Sequence, residues 1–141
     1  MLLKIVTPDG TTYENEIVQV SVSTQTGEIT ILPQHIPLIS VLKAGEIRIL
    51  KEKEEFILAV STGVLEVRPN SQIYVLADTA ERAEHIDLER AEAARVRAQE
   101  LMAQKQSLED VEFAHLQAKM EKELARLRIG KKYRKLPPQN L

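Results

Sequence analysis

A chain of 141 residues, 43% hydrophobic and 28% charged, fits one ordinary domain or a small domain with an appendage. The absence of cysteine excludes a disulfide framework and thiolate chemistry, and a net charge of −2 gives no reason to expect nucleic acid or an anionic surface as the main partner. Met1 leads straight into the strand-like run Leu2-Leu3-Lys4-Ile5-Val6, with neither a basic leader nor a long apolar segment, so secretion and membrane spanning are not expected. The expectation is a cytoplasmic chain, or one held at a membrane only through other proteins.

From Met1 to about Ala77 short apolar runs alternate with turn signals. Strands are predicted at 2–6, 16–23, 28–32, 38–42, 46–50, 56–60, 64–67 and 73–76. Between them lie Pro8-Asp9-Gly10, Thr26-Gly27, Ala44-Gly45, Thr62-Gly63 and Pro69-Asn70-Ser71, all residue sets suited to tight turns. Spacing near ~10 residues per strand, with β-branched enrichment, reads as an antiparallel sandwich or barrel. Ile17, Val20 and Val22 do not alternate cleanly, which places a bulge near Val18–Gln19. Within this part the stretch Gly27-Glu28-Ile29-Thr30-Ile31-Leu32-Pro33-Gln34-His35-Ile36-Pro37-Leu38 stands out. Pro33 and Pro37 fix their own φ and push Leu32 and Ile36 into extended backbone. A stiff loop should then carry Gln34 and His35 above the sheet, while Ile31 and Leu32 are expected to be buried.

The composition changes at Asp78. Beyond it Ala, Glu, Arg, Gln and Leu dominate, with no Gly before Gly130 and no Pro before Pro137. Asp87 suits an N-cap for a first helix from Leu88 to Gln106, and Ser107 with Asp110 resembles a capping box for a second helix ending at Ile129, closed by Gly130. Ala91, Ala94, Ala98, Leu101 and Met102 on the first helix can face Phe113, Leu116, Met120, Leu124 and Leu127 on the second, as an antiparallel pair. An alanine face buries little area, so the hairpin should be marginal by itself. The predicted class is α+β: residues 1–84 an antiparallel β-sandwich, residues 85–141 a two-helix hairpin with a basic tail. Residues 1–80 carry 6 Lys+Arg against 10 Asp+Glu, and residues 81–141 carry 13 against 11. From Arg126 onward Arg126, Arg128, Lys131, Lys132, Arg134 and Lys135 stand without an acid, a solvated end or a docking segment for an acidic partner.

Catalytic chemistry is not visible. His35, His85 and His115 are scattered, none in metal-ligand spacing, and the five glycines are isolated at turns rather than gathered into a phosphate loop. No catalytic residue and no metal site are expected. A sugar-binding sandwich is disfavoured because Phe and Tyr together number five and Trp is absent.

The pattern G-E-x-x-I-L-P-x-H-x-P-L at 27–38 resembles the signature of the epsilon subunit of F-type ATP synthases, bacterial type. Ile86-Asp87-x-x-Arg90-Ala91 is similar to the nucleotide-binding motif of bacterial epsilon subunits. The resemblance implies a non-catalytic central-stalk subunit at the cytoplasmic face of the bacterial membrane. Its sandwich would bind the gamma subunit and the c-ring, with Glu28, Gln34 and His35 at that interface. Its hairpin would switch between a folded state and one extended toward the catalytic alpha and beta subunits, where Arg126, Arg128, Lys131 and Lys132 would meet an acidic segment of beta and block ATP hydrolysis. No cofactor is required, but regulatory ATP is implied at Glu81, Asp87, Arg90, Ala91, Arg97, Lys122 and Arg126. Lys122 stands where the motif has a second arginine, and Glu92 follows Ala91 where a lysine is usual. A lysine lacks the planar fork of arginine, so phosphate contact should be looser. The alternative reading is a free-standing cytoplasmic ATP-sensing module.

Overall fold

The computed structural model describes residues 1–104 and 110–133. The chain divides into two compact units, Met1–Arg82 and Ala83–Leu141.

The first unit is a β-sandwich built from β1 (Leu2–Thr7), β2 (Gly10–Glu16), β3 (Gln19–Thr24), β4 (Gly27–Ile31), β5 (Leu38–Lys51), β6 (Glu54–Val60), β7 (Gly63–Arg68), β8 (Gln72–Ala77) and β9 (Ala80–Arg82). The hydrogen-bonded order is β2-β1-β8-β7-β5-β3-β4, with β6 on β5 and β9 on β6. Every pairing is antiparallel except β1 with β8, which runs parallel from Leu2↔Gln72 to Val6↔Leu76. Alternation along the strands fills the interior with Leu3 and Ile5, Val20 and Val22, Leu65 and Val67, Ile73 and Val75, all buried. Each fully buried Leu or Ile side chain of this kind contributes about 1.5–3 kcal/mol.

Ala44-Gly45, expected as a turn, lies inside a strand of 14 residues. The first half of β5 pairs β7 from Leu38↔Val67 to Leu42↔Gly63, and the second half pairs β6 from Gly45↔Val60 to Lys51↔Glu54. Leu42 and Ala44 are buried before the crossing, Ile47 and Ile49 after it. The inward parity therefore flips at Gly45, where one strand passes from one layer of the sandwich to the other. Neither β2 nor β9 is expected from the sequence, because neither contains a buried residue and no apolar alternation marks them. Their backbones are held by pairing to β1 and β6 alone. The bulge expected near Val18–Gln19 is displaced. The register of β3 against β5 shifts between Val22 and Thr24, while Val18 simply precedes the strand.

The second unit holds a 3-10 turn (Ala83–His85), α1 (Leu88–Gln104) and α2 (Asp110–Tyr133). Asp87 caps α1: its Oδ1 accepts from the Arg90 amide at 3.1 Å and its carbonyl from the Ala91 amide at 3.0 Å. The expected end of α1 at Gln106, the Ser107 cap, Arg134 and Lys135 lie outside the described residues. Gly130 does not close α2, which continues to Tyr133. A Cβ on Gly130 would sit 2.6 Å from Leu88 Cδ2 and 3.2 Å from Ile86 Cγ2. The end of α2 therefore lies beside the start of α1, and the two helices are antiparallel. On α1 Ala91 and Ala98 are buried and Ala94 and Met102 half-buried, but Leu101, expected on the same face, is exposed. On α2 the stripe is rotated. Leu127 is buried, Leu116 and Met120 are half-buried, but Phe113 and Leu124 are exposed, and Glu123, Ala125 and Ile129 are buried instead. Nearly two faces of the C-terminal half of α2 are covered, more than a strict three-four stripe provides.

Candidate functional site

Strand register places Val41, Val64, Leu76 and Val6 in one row across β5, β7, β8 and β1. In the neighbouring row stand Ile39, Glu66, Tyr74 and Lys4. Directly paired residues share a face, and this face is turned away from the core. Val41 is 52% exposed, Val64 40%, Leu76 56% and Ile39 73%. Four aliphatic side chains side by side in water form a patch of the kind that marks a contact surface. Beside them Arg68 places its guanidinium 4.1 Å from the Tyr74 ring centroid and pairs with Glu66 at 3.0 Å. The hydrogen bond from Arg68 holds the Glu66 carboxyl below the usual range.

None of these residues is among those expected at an interface from the sequence. The signal was present: Leu38-Ile39-Ser40-Val41-Leu42 and Val64-Leu65 carry apolar residues on both parities, so one parity must face outward unless both faces are covered.

The loop 32–37 is a turn closed by the His35 amide donating to the Leu32 carbonyl at 3.1 Å. Gln34 takes a left-handed φ of 68° and its amide donates to Ser71 Oγ at 3.3 Å. His35 is half-buried, with Nδ1–H donating to the Ile36 carbonyl at 2.6 Å. Ile31 is fully buried as expected, whereas Leu32 is exposed, because the chain leaves β4 at that residue. Leu32 and Ile36, at 51% and 75% exposure, add apolar area on either side of Gln34 and His35. Glu28 lies on β4 and pairs with Arg48, which also reaches Glu46. It is part of an ion-pair network on the sandwich, exposed on its own side chain.

The residues expected at a nucleotide are distributed as follows. Glu81 stands on β9 in the first unit. Asp87 and Arg90 meet at the α1 cap. Asp87 borders a polar cleft of about 310 Å³ with Glu84, Ile86, Leu88, Glu89 and Gly130. Ala91 is fully buried against the hairpin interior. Arg97, two turns beyond Arg90 on the same side of α1, lines a largely apolar groove of about 730 Å³ together with Leu88, Val96, Leu127 and Lys131. One groove thus joins an arginine expected at ATP to a lysine expected at an inhibitory contact. The Arg95 guanidinium, hydrogen-bonded to Glu92 at the groove's edge, holds that carboxyl below its ordinary range, with Lys131 adding to the effect. On α2, Lys122 and Arg126 are half-buried. Arg126 donates to Glu123 Oε2 at 2.8 Å, and Glu123 is itself 4% exposed. Arg128, Lys131 and Lys132 are exposed and lie on the opposite side of the helix from Arg126. Among the described residues no group of three or more His, Cys, Asp or Glu could hold a metal ion.

An outward apolar row on a β-sandwich and a compact helical pair make this a two-part protein of one sandwich unit and one helical unit. Residues 1–83 match the family described as ATP synthase, Delta/Epsilon chain, beta-sandwich domain, and residues 84–131 its long alpha-helix domain. The ATP synthase epsilon chain of Bacillus subtilis is 51% identical over 98 residues, 70% of this chain and 74% of that one. The epsilon chain of Bacillus licheniformis is 42% identical over 129 residues, 92% and 96%. Among solved structures, a chain of the Euglena gracilis mitochondrial ATP synthase (OSCP/F1/c-ring) superposes with a TM-score of 0.72 at 19% identity, covering 89% of this chain and 78% of that one. A chain of the Tetrahymena thermophila mitochondrial ATP synthase central stalk/c-ring gives 0.64 at 12% identity, with 94% of each covered. The chain belongs to the delta/epsilon family of ATP synthase subunits, among the bacterial epsilon chains.

Proposed function

We propose that this epsilon chain is a non-catalytic rotor subunit at the cytoplasmic face of the membrane, docking on the gamma subunit through the outer face of its sandwich. The observation that carries this reading is the exposed row of Val41, Val64 and Leu76 with Ile39 beside it. In the assembly that row is covered by gamma, while the turn bearing Gln34 and His35, with Glu28, faces the c-ring and helps couple proton flow to rotation. The occurrence of similarly folded chains in complexes described as OSCP/F1/c-ring and as central stalk/c-ring supports this position.

The hairpin is the regulatory half. In the compact state α1 and α2 pack as described. In an extended state the exposed cations Arg128, Lys131 and Lys132 approach an acidic segment of beta and restrain ATP hydrolysis. ATP acts as an effector of the compact state through Asp87, Arg90 and Arg97, with Lys122 and Arg126 from α2. The exposed side of α2, free of acids from Arg126 onward, supports the inhibitory arm of this reading.

The test of docking is Leu76→Asp, alone and with Val64→Asp. Both positions face water, so the melting temperature of the isolated chain should change little, while the amount recovered with gamma in a pull-down should fall at least about tenfold, since burying an unpaired carboxylate is costly. Full recovery of the double variant with gamma would refute the assignment of this face.

A further inference from the structure

A glycine inside a helix needs a reason, because alanine there is favoured by a factor of about five in helix stability. Gly130 is buried, lies within α2 three residues before its end, and adopts no left-handed backbone that would call for glycine. What it meets is the entry to α1. An added Cβ would fall 2.6 Å from Leu88 Cδ2, 3.2 Å from Ile86 Cγ2 and 3.4 Å from Ile86 Cβ. Leu88 could swing its terminal methyl aside. Ile86 is less able to yield, because its Cβ is fixed to the backbone and its branched side chain is stiff. Between these two residues stands Asp87, whose carboxylate caps α1. The same three residues and Gly130 border the polar cleft.

We propose that Gly130 is the notch that sets the balance between the compact and the opened hairpin. The bare face of α2 at Gly130 lets residues 86–88 seat against it, which closes one wall of the cleft at Asp87 and ties the last turns of α2 to the first turn of α1. When α2 leaves, the cleft loses that wall, so a ligand held at Asp87 and the closure of the hairpin are linked. Side-chain size at position 130 therefore acts on the closed state alone. Its consequence for ATP hydrolysis rests on the inhibitory role proposed above for the extended hairpin.

The experiment is amide hydrogen exchange on the isolated full chain, with the sandwich amides as internal reference. Helix propensity alone predicts that Gly130→Ala raises protection of α1 and α2 amides about fivefold. The notch predicts the opposite sign: a fall of about tenfold for Gly130→Ala and more for Gly130→Val, with β-strand amides unchanged. The clash is specific to the unyielding side chain, so in an Ile86→Ala background the same Gly130→Ala change should lower protection less than threefold. Unchanged or increased hairpin protection in both single variants would overturn the proposal, as would an equally large loss in the Ile86→Ala background. In the assembled complex Gly130→Ala should slow ATP hydrolysis by favouring the opened hairpin. A complex that hydrolyses ATP at the unaltered rate, with the exchange results as expected, would uphold the notch and remove the inhibitory role.

Discussion

At the scale of single residues, neighbours in sequence have opposite fates. Ile31 ends β4 inside the core and Leu32 projects into water one residue later. Ile31→Ala should cost about 2–5 kcal/mol of stability as a cavity in a packed interior, and Leu32→Ala less than about 0.5 kcal/mol, measured by denaturant unfolding. Equal losses would mean that the turn at Pro33 does not lift Leu32 from the sheet. Asp87 raises a different question, since one carboxylate could serve the helix or a nucleotide. Asp87→Ala removes the cap and should cost about 1 kcal/mol in hairpin stability, whereas Asp87→Asn keeps a capping oxygen and should cost almost nothing. If ATP is held through the charge of Asp87, Asn should weaken ATP binding in equilibrium dialysis while leaving helix content intact. An Asn variant that binds ATP as well as the unmodified chain would leave the cap as the residue's whole role.

At the scale of elements, α2 carries two populations of cations. Arg126 is turned to the buried Glu123, where removing the arginine would strand a carboxylate away from water. Arg128, Lys131 and Lys132 are exposed, where charge interactions contribute little to stability. Cations in a last turn gain roughly 0.3–1 kcal/mol from the helix dipole, an effect that fades within that turn. Neutralising Arg128, Lys131 and Lys132 to Gln should therefore leave the fold intact. In the assembled complex the same triple variant should raise ATP hydrolysis, and truncation after Gln106 should raise it at least as much while the sandwich stays folded and bound to gamma. A truncated complex no faster than the intact one would return these cations to the role of solvating a helix end. The independence expected of the sandwich follows from its core, which lies wholly within Met1–Arg82.

At the scale of the whole molecule, two compact units on one chain allow one to anchor while the other changes state. If ATP binds only the compact hairpin, it should stabilise that state by RT ln(1 + [ATP]/Kd), about 2.7 kcal/mol at 100 times Kd and negligible well below Kd. Lys122→Arg should increase the thermal shift at a given ATP concentration, since guanidinium offers phosphate two parallel donors. The absence of any shift at millimolar ATP in both chains would dismiss the effector role and leave the rotor role standing. Inhibition through exposed cations should weaken as salt rises, because such charges are screened over about 8 Å at physiological ionic strength.

The sequence by itself determined the two-part plan, the buried alanines of α1, the Asp87 cap and most of the strands, because these follow from local rules: helix and turn propensity, side-chain periodicity and capping. The motif at 27–38 and the run from Ile86 to Ala91 carried the family. Tertiary structure alone decided the rest. Edge strands β2 and β9 have no apolar signature, since their partners supply the hydrogen bonds and little of their surface is buried. The unbroken β5 reads as a turn at Gly45, because a parity flip between two sheets looks locally like a break in alternation. The outward row of Val41, Val64 and Leu76 exists only once three strands are placed in register. Gly130, which resembles a helix terminator in one dimension, is a close-approach residue in three, because what it accommodates lies more than forty positions away in the chain.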